Sequence, residues 1–160
     1  MVNAARPPWQ AVILDLDGTL VDTLGDFEAA LGLTLADLGL PPVGRALIAR
    51  TVGKGSEHLI RRVLAAQLGG ASGATTADTD AVDRLYPEAW ARYQRHYLAI
   101  NGAHSTVYPG VLEGLERLRS RGLALACLTN KPRAFALPLL RAKGLDAFLG
   151  PVFGGDSFER

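Results

Sequence analysis

A chain of 160 residues, 48% of them hydrophobic, is long enough to bury a real core and short enough for one domain, or one domain carrying an insertion. Seventeen Lys and Arg against sixteen Asp and Glu give a net charge of +1, with no basic run free of nearby acids, which excludes nucleic acid as an expected partner. The single cysteine, Cys127, permits no internal disulfide and fits a reducing compartment, the cytoplasm. In chain order, "MVNAARPPWQ" has an arginine but no apolar stretch behind it. It reads as a short leader rather than a signal peptide, and no segment reads as a membrane span.

Residues 11–17, "AVILDLD", are aliphatic without alternation, which predicts a first strand covered on both faces in a parallel sheet. From Thr23 the period changes. Leu24, Phe27, Leu31, Leu35 and Leu38 recur every three or four residues, and Gly39 with Pro41-Pro42 stops that helix. A short helix fits Arg45 to Thr51. "VGKGS" breaks the pattern, Ser56 is a candidate cap, and "EHLIRRVLAAQL" predicts a third helix ending at Gly69-Gly70. "GGASGATTADTD" is small and polar and predicts a flexible loop, followed by a helix from about Asp80 to Ile100 in which Pro87 marks a kink or a new start. After "NGAHSTVYPG", Val111, Leu115 and Leu118 mark a helix that Gly122 ends. "LALACL" is a second buried strand running into "TNKP", a helix from about Arg133 closes at Lys143-Gly144, and "GPVFGGD" predicts a third short strand.

The outer pieces therefore read as an α/β domain with a parallel sheet, and the helical block as an insertion after the first strand. In such sheets ligands bind beyond the carboxyl ends of the strands, where Asp15 and Thr129 both fall. Side chains alternate along extended chain, so Asp15 and Asp17 project to one side and Leu16 to the other. Two carboxylates in one small site repel unless one is protonated or a cation lies between them, which suits Mg2+ with a division of labour between nucleophile and acid/base.

With "DLDGT" after a hydrophobic strand and "LTN" at the end of a later one, the chain resembles the haloacid dehalogenase superfamily of aspartate-dependent phosphohydrolases over nearly its whole length. Asp15, Asp17, Gly18 and Thr19 match its D-x-D-G-T motif, and Thr129 matches its second motif, a Ser or Thr at a strand end. "TNKP" and "VGKGS" are most similar to phosphoglycolate phosphatases and their near relatives. The resemblance implies a Rossmann-like three-layer core with a parallel sheet, formed by residues 1–21 and 104–160, and an α-helical cap over residues 22–103. It implies Asp15 as the nucleophile, Asp17 as the acid/base, and Mg2+ held by the Asp15 carboxylate and the Asp17 backbone carbonyl. Thr129, Asn130, Gly18 and Lys54 form the substrate-facing set, Lys54 meeting a substrate carboxylate. The implied partner is a small phosphorylated metabolite, 2-phosphoglycolate first, handled by a monomer or homodimer. A phosphosugar mutase, a pyrophosphatase or a non-catalytic phosphate- or partner-binding relative are the alternatives.

The resemblance also implies a later lysine and an acidic pair for which this chain, stopping at "GGDSFER", has no match; Asp156 precedes the expected lysine. Lys131 lies beside Thr129, but the family does not use that position as its catalytic lysine. The expectation is a fragment without roughly the last third of the core, poorly stable and inactive alone, since each missing charge leaves a phosphoryl group less neutralised.

Simpler readings stand beside these. An Asp-Gly turn at a strand end is common, although an EF-hand fails because Leu20 stands where that loop needs Gly. Thr129 is also a candidate helix N-cap, and both roles coexist. "VGKGS" is not a P-loop, since Gly55 separates Lys54 from Ser56 and no strand precedes it; Lys54 reads equally as a solvated loop lysine. His58, His96 and His104 are too scattered for a metal set, and Cys127 belongs to the core.

Overall fold

The computed structural model describes residues 9–69 and 76–158. Its elements run β1 (Ala11–Leu14), β2 (Val21–Asp22), α1 (Leu24–Asp37), α2 (Arg45–Thr51), α3 (Ser56–Leu68), α4 (Thr76–Ile100), β3 (Thr106–Val107), α5 (Val111–Ser120), β4 (Ala124–Leu128), α6 (Arg133–Ala142) and β5 (Val152–Phe153). The chain divides into two compact units, Met1–Asp22 with Thr106–Arg160, and Thr23–Ser105.

In the first unit β1, β4 and β5 form a parallel sheet in the order β1-β4-β5, with Ala11 opposite Ala124 and Cys127 opposite Val152. Alternation sends Leu125 and Cys127 to one face, where they pack with Leu115 of α5 and with Ala136, Leu139 and Leu140 of α6 in a closed apolar core. The other face differs from expectation. Ile13 is 65% exposed and Leu128 46%, so among the described residues β1 is covered on one face rather than both. Past the end of α5 a glycine supplies the left-handed conformation that other residues resist: Gly122 at φ 78° donates to the Arg119 carbonyl.

The strand itself stops at Leu14, short of the predicted span. Leu16 turns fully into the core, and its carbonyl accepts the backbone N–H groups of Thr19, Leu20 and Val21 at 3.0–3.3 Å. That turn leads into a two-residue antiparallel ribbon, β2 with β3, pairing Asp22 with Thr106. Sequence periodicity gave no sign of this ribbon, because two residues are too few to show a period.

The second unit is helical. On α1 the buried positions Phe27, Ala30, Leu31, Thr34 and Leu35 follow the 3.6-residue repeat. Phe27 meets Tyr97 of α4, ring centroids 5.5 Å apart, and Tyr97 meets Tyr93 at 5.4 Å. α2 spans Arg45–Thr51 as expected. Ser56 does not cap α3: it is the first helical residue, and Gly55 at φ 90° precedes it. α4 runs unbroken from Thr76 through Pro87, so the last five residues of the expected flexible loop are helical; residues 70–75 lie outside the described residues. No helix among the described residues is long and apolar enough to cross a membrane.

The ends of the helical unit are tied by one side chain. Asp26, fully buried in the first turn of α1, accepts the N–H groups of Gly102 and His104, each at 2.7 Å, and the Ser105 hydroxyl. Gly25 beside it has to be glycine for the same reason, since a Cβ there would sit 2.5 Å from the His104 carbonyl oxygen.

Candidate active site

The carboxyl edge of the parallel sheet gathers three loops, each leaving the end of a strand. After β1, Asp15 is exposed, Leu16 is buried and Asp17 is half-buried, the alternation expected of "DLD". Gly18 follows at φ 78°, its N–H donating to the Val21 carbonyl at 2.9 Å, so the turn requires a residue without a Cβ there. After β4, Thr129 is buried and Asn130 exposed. After β5, Gly154 and Gly155 lie against the β4 loop: a Cβ on Gly154 would meet the Arg133 nitrogen at 2.4 Å, and one on Gly155 the Asn130 oxygen at 2.5 Å.

These loops enclose a cavity of about 380 Å³ lined by Asp15, Leu128, Thr129, Asn130, Gly154, Gly155 and Phe158. Asp15, Thr129 and Asn130 thus share one concavity at the strand ends, as parallel-sheet geometry anticipates. Asp17 is held differently. The Lys131 ammonium donates to both of its oxygens, at 2.9 and 3.1 Å, with the Lys131 side chain 1% and the Asp17 side chain 9% exposed. The cation that two neighbouring carboxylates demand is, on Asp17, a lysine of the protein. Sequence reasoning placed Lys131 beside Thr129 without this partner, because the two residues stand 114 positions apart.

Thr129 does not cap α6. Pro132 occupies the cap position without a side-chain bond, and the Asp156 carboxylate accepts the Arg133 N–H at 2.8 Å instead. The Thr129 hydroxyl accepts the Lys131 N–H at 3.3 Å. Asp156 and the two glycines were legible as "GGD", but their close approach to the β4 loop was not. Lys54 lies in the helical unit, exposed between Gly53 and Gly55, both at positive φ. Burial, with the Asp15 and Asp17 carboxylates adding to it, pushes the Cys127 thiol up to about 11, so this core cysteine stays protonated at neutral pH.

Among the described residues no three His, Cys, Asp or Glu side chains cluster as metal ligands. Mg2+ asks for less: it keeps several waters and takes one or two carboxylates together with substrate phosphate oxygens. The exposed Asp15 carboxylate lining this cavity is a hard-oxygen donor of that kind.

A family profile described as haloacid dehalogenase-like hydrolase matches residues 9–160. The plasmid-borne phosphoglycolate phosphatase of Cupriavidus necator is 46% identical over 154 residues, covering 96% of this chain and 62% of the relative. The phosphoglycolate phosphatase of Rhodospirillum rubrum is 42% identical over 151 residues, covering 94% and 60%. Among solved structures, a predicted phosphoglycolate phosphatase from Haemophilus somnus superposes with a TM-score of 0.84 at 28% identity, covering 98% of this chain and 67% of that one. The chain therefore spans about three fifths of the length of these two curated relatives.

Proposed function

The chain belongs to the haloacid dehalogenase-like hydrolase family, and from that membership we propose that it carries the nucleophile of a Mg2+-dependent phosphatase for small phosphate monoesters, 2-phosphoglycolate first. The observation that supports this reading most is the exposed Asp15 carboxylate sharing one cavity with Thr129 and Asn130 at the ends of parallel strands. The names of the relatives point to the same substrate.

In this reading Asp15 attacks phosphorus, an aspartyl-phosphate bond forms and the ester P–O bond breaks while Asp17 gives its proton to the leaving alkoxide. Asp17 then takes a proton from water, the water attacks phosphorus, inorganic phosphate leaves and the Asp15 carboxylate is restored. The Thr129 hydroxyl and the Asn130 N–H donate to the phosphoryl oxygens, where charge accumulates. Asp15 and the Asp17 carbonyl hold Mg2+, which when bound offsets the repulsion between an anionic nucleophile and an anionic ester. Gly18 keeps the turn that presents Asp17.

The test is phosphate release from 2-phosphoglycolate and a panel of phosphosugars and pyrophosphate, with and without Mg2+. Metal-dependent release, greatest for 2-phosphoglycolate and abolished by Asp15→Asn in a folded protein, is the expected result. Release that survives Asp15→Asn overturns the nucleophile assignment. Preference for a phosphosugar or pyrophosphate moves the substrate within the family, and phosphate binding without release overturns the enzyme.

A further inference from the structure

A lysine ammonium taken out of water costs several kcal/mol unless it is paired and hydrogen-bonded. Lys131 is paired on both oxygens of Asp17. Ion pairs of the helical unit such as Arg61–Asp83 and Arg92–Asp37 keep their side chains 32–56% exposed, whereas this one is nearly closed to water. The backbone of Lys131 is fixed as well: its N–H donates to the Thr129 hydroxyl and its carbonyl accepts the Gly155 N–H at 3.0 Å. One residue thereby joins the loops that follow β1, β4 and β5.

We propose that Lys131 is a positioning residue that fixes the Asp17 carboxylate in the orientation from which it exchanges a proton with the reacting oxygen. The ion pair shown is that of ionised Asp17, the form that takes a proton from water; in the acid half of the cycle one oxygen carries the proton and Lys131 keeps the other, so the geometry of the carboxyl group is set in both halves. The cavity walls come from Asp15, Thr129, Asn130 and Gly154, while the Lys131 ammonium lies on Asp17, which separates its role from contact with a phosphoryl group. The inference rests on the phosphatase reading above, and its test distinguishes the two.

In the protein with Mg2+, Lys131→Met is expected to lower kcat on an alkyl phosphate by ~100-fold, the loss that misplacing a catalytic group brings, with KM within about threefold. Para-nitrophenyl phosphate, whose leaving group departs without a proton, is expected to lose roughly tenfold less, because general-acid help matters less there. Lys131→Arg recovers part of the loss, and Asp17→Asn combined with Lys131→Met is no slower than Asp17→Asn alone. That double variant leaves no buried charge unpaired and carries the comparison if Lys131→Met does not fold. A rise in KM at constant kcat, equal losses on both esters, or additive losses in the double variant overturns the proposal. If the unmodified protein releases no phosphate, the phosphatase reading falls and carbon-13 NMR decides the positioning role. The Asp17 carboxyl resonance, assigned by its disappearance in Asp17→Asn, is expected to shift in Lys131→Met without substrate. An unmoved resonance overturns the proposal whatever the turnover.

Discussion

Replacing Asp26 by Ala is expected to destabilise the helical unit more than any single surface change. The carboxylate accepts two backbone N–H groups at 2.7 Å and the Ser105 hydroxyl, and it is fully buried. Hydrogen bonds to a charged group contribute about 1.5–3 kcal/mol each, and a buried donor left unsatisfied costs about 1–3 kcal/mol. Gly102 is half-buried and His104 exposed, so water recovers part of the loss, and the contacts share one side chain and do not add. The net expectation is about 2–4 kcal/mol for Asp26→Ala, and about half of that for Asp26→Asn, whose amide keeps one acceptor but turns a donor toward a donor. Urea unfolding of the whole chain followed by far-UV circular dichroism measures the loss, and hydrogen exchange at the Gly102 and His104 amides locates it. A loss under ~1 kcal/mol, ordinary for a point substitution, or unchanged exchange at both amides refutes the argument.

Two further outcomes follow from other contacts. Gly155→Ala puts a Cβ 2.5 Å from the Asn130 oxygen, so it is expected to cost about 1–3 kcal/mol by overpacking and to weaken phosphate binding by displacing Asn130; thermal unfolding and phosphate titration check it, and an unchanged Tm counts against it. The His96 ring, hydrogen-bonded to Asp37, and the Arg92 and Arg95 charges beside it hold the Asp37 carboxyl below its ordinary value. A depressed folded-state value gives stability that is present above the unfolded carboxyl range and lost as pH falls through the folded value. The stability difference between the native chain and Asp37→Asn is therefore expected at neutral pH and expected to vanish in strong acid; a difference that persists in acid contradicts the pairing.

What the sequence made legible was local. The aliphatic run before Asp15 and the 3.6-residue repeat around Phe27 and Leu31 follow from side-chain periodicity, which neighbouring residues carry by themselves. The D-x-D spacing placed Asp15 and Asp17 on one side because alternation is equally local. What stayed illegible depends on partners far along the chain: Lys131 on Asp17 across 114 positions, Asp26 on residues 76–79 positions away, and Asn130 against Gly155. The ribbon of β2 and β3 escaped for want of length. Among the described residues of this chain, which spans about three fifths of the length of its curated relatives, Ile13 stays exposed, because an apolar strand records only that it can be buried, whereas the neighbours present decide on how many faces.

Leu16 separates the two aspartates with a side chain sunk in the core and a carbonyl that three N–H groups grip at once. The two aspartates are therefore mounted on the same fastening that holds the sheet to its helices. Leu16 belongs to the same buried cluster as Leu139 and Leu140 of α6, so the residue between the two aspartates is part of the core itself. Under the phosphatase reading proposed above, the spacing of Asp15 and Asp17 is set by the same packing that stabilises the sheet, so a looser core is expected to act on turnover as well as on folding.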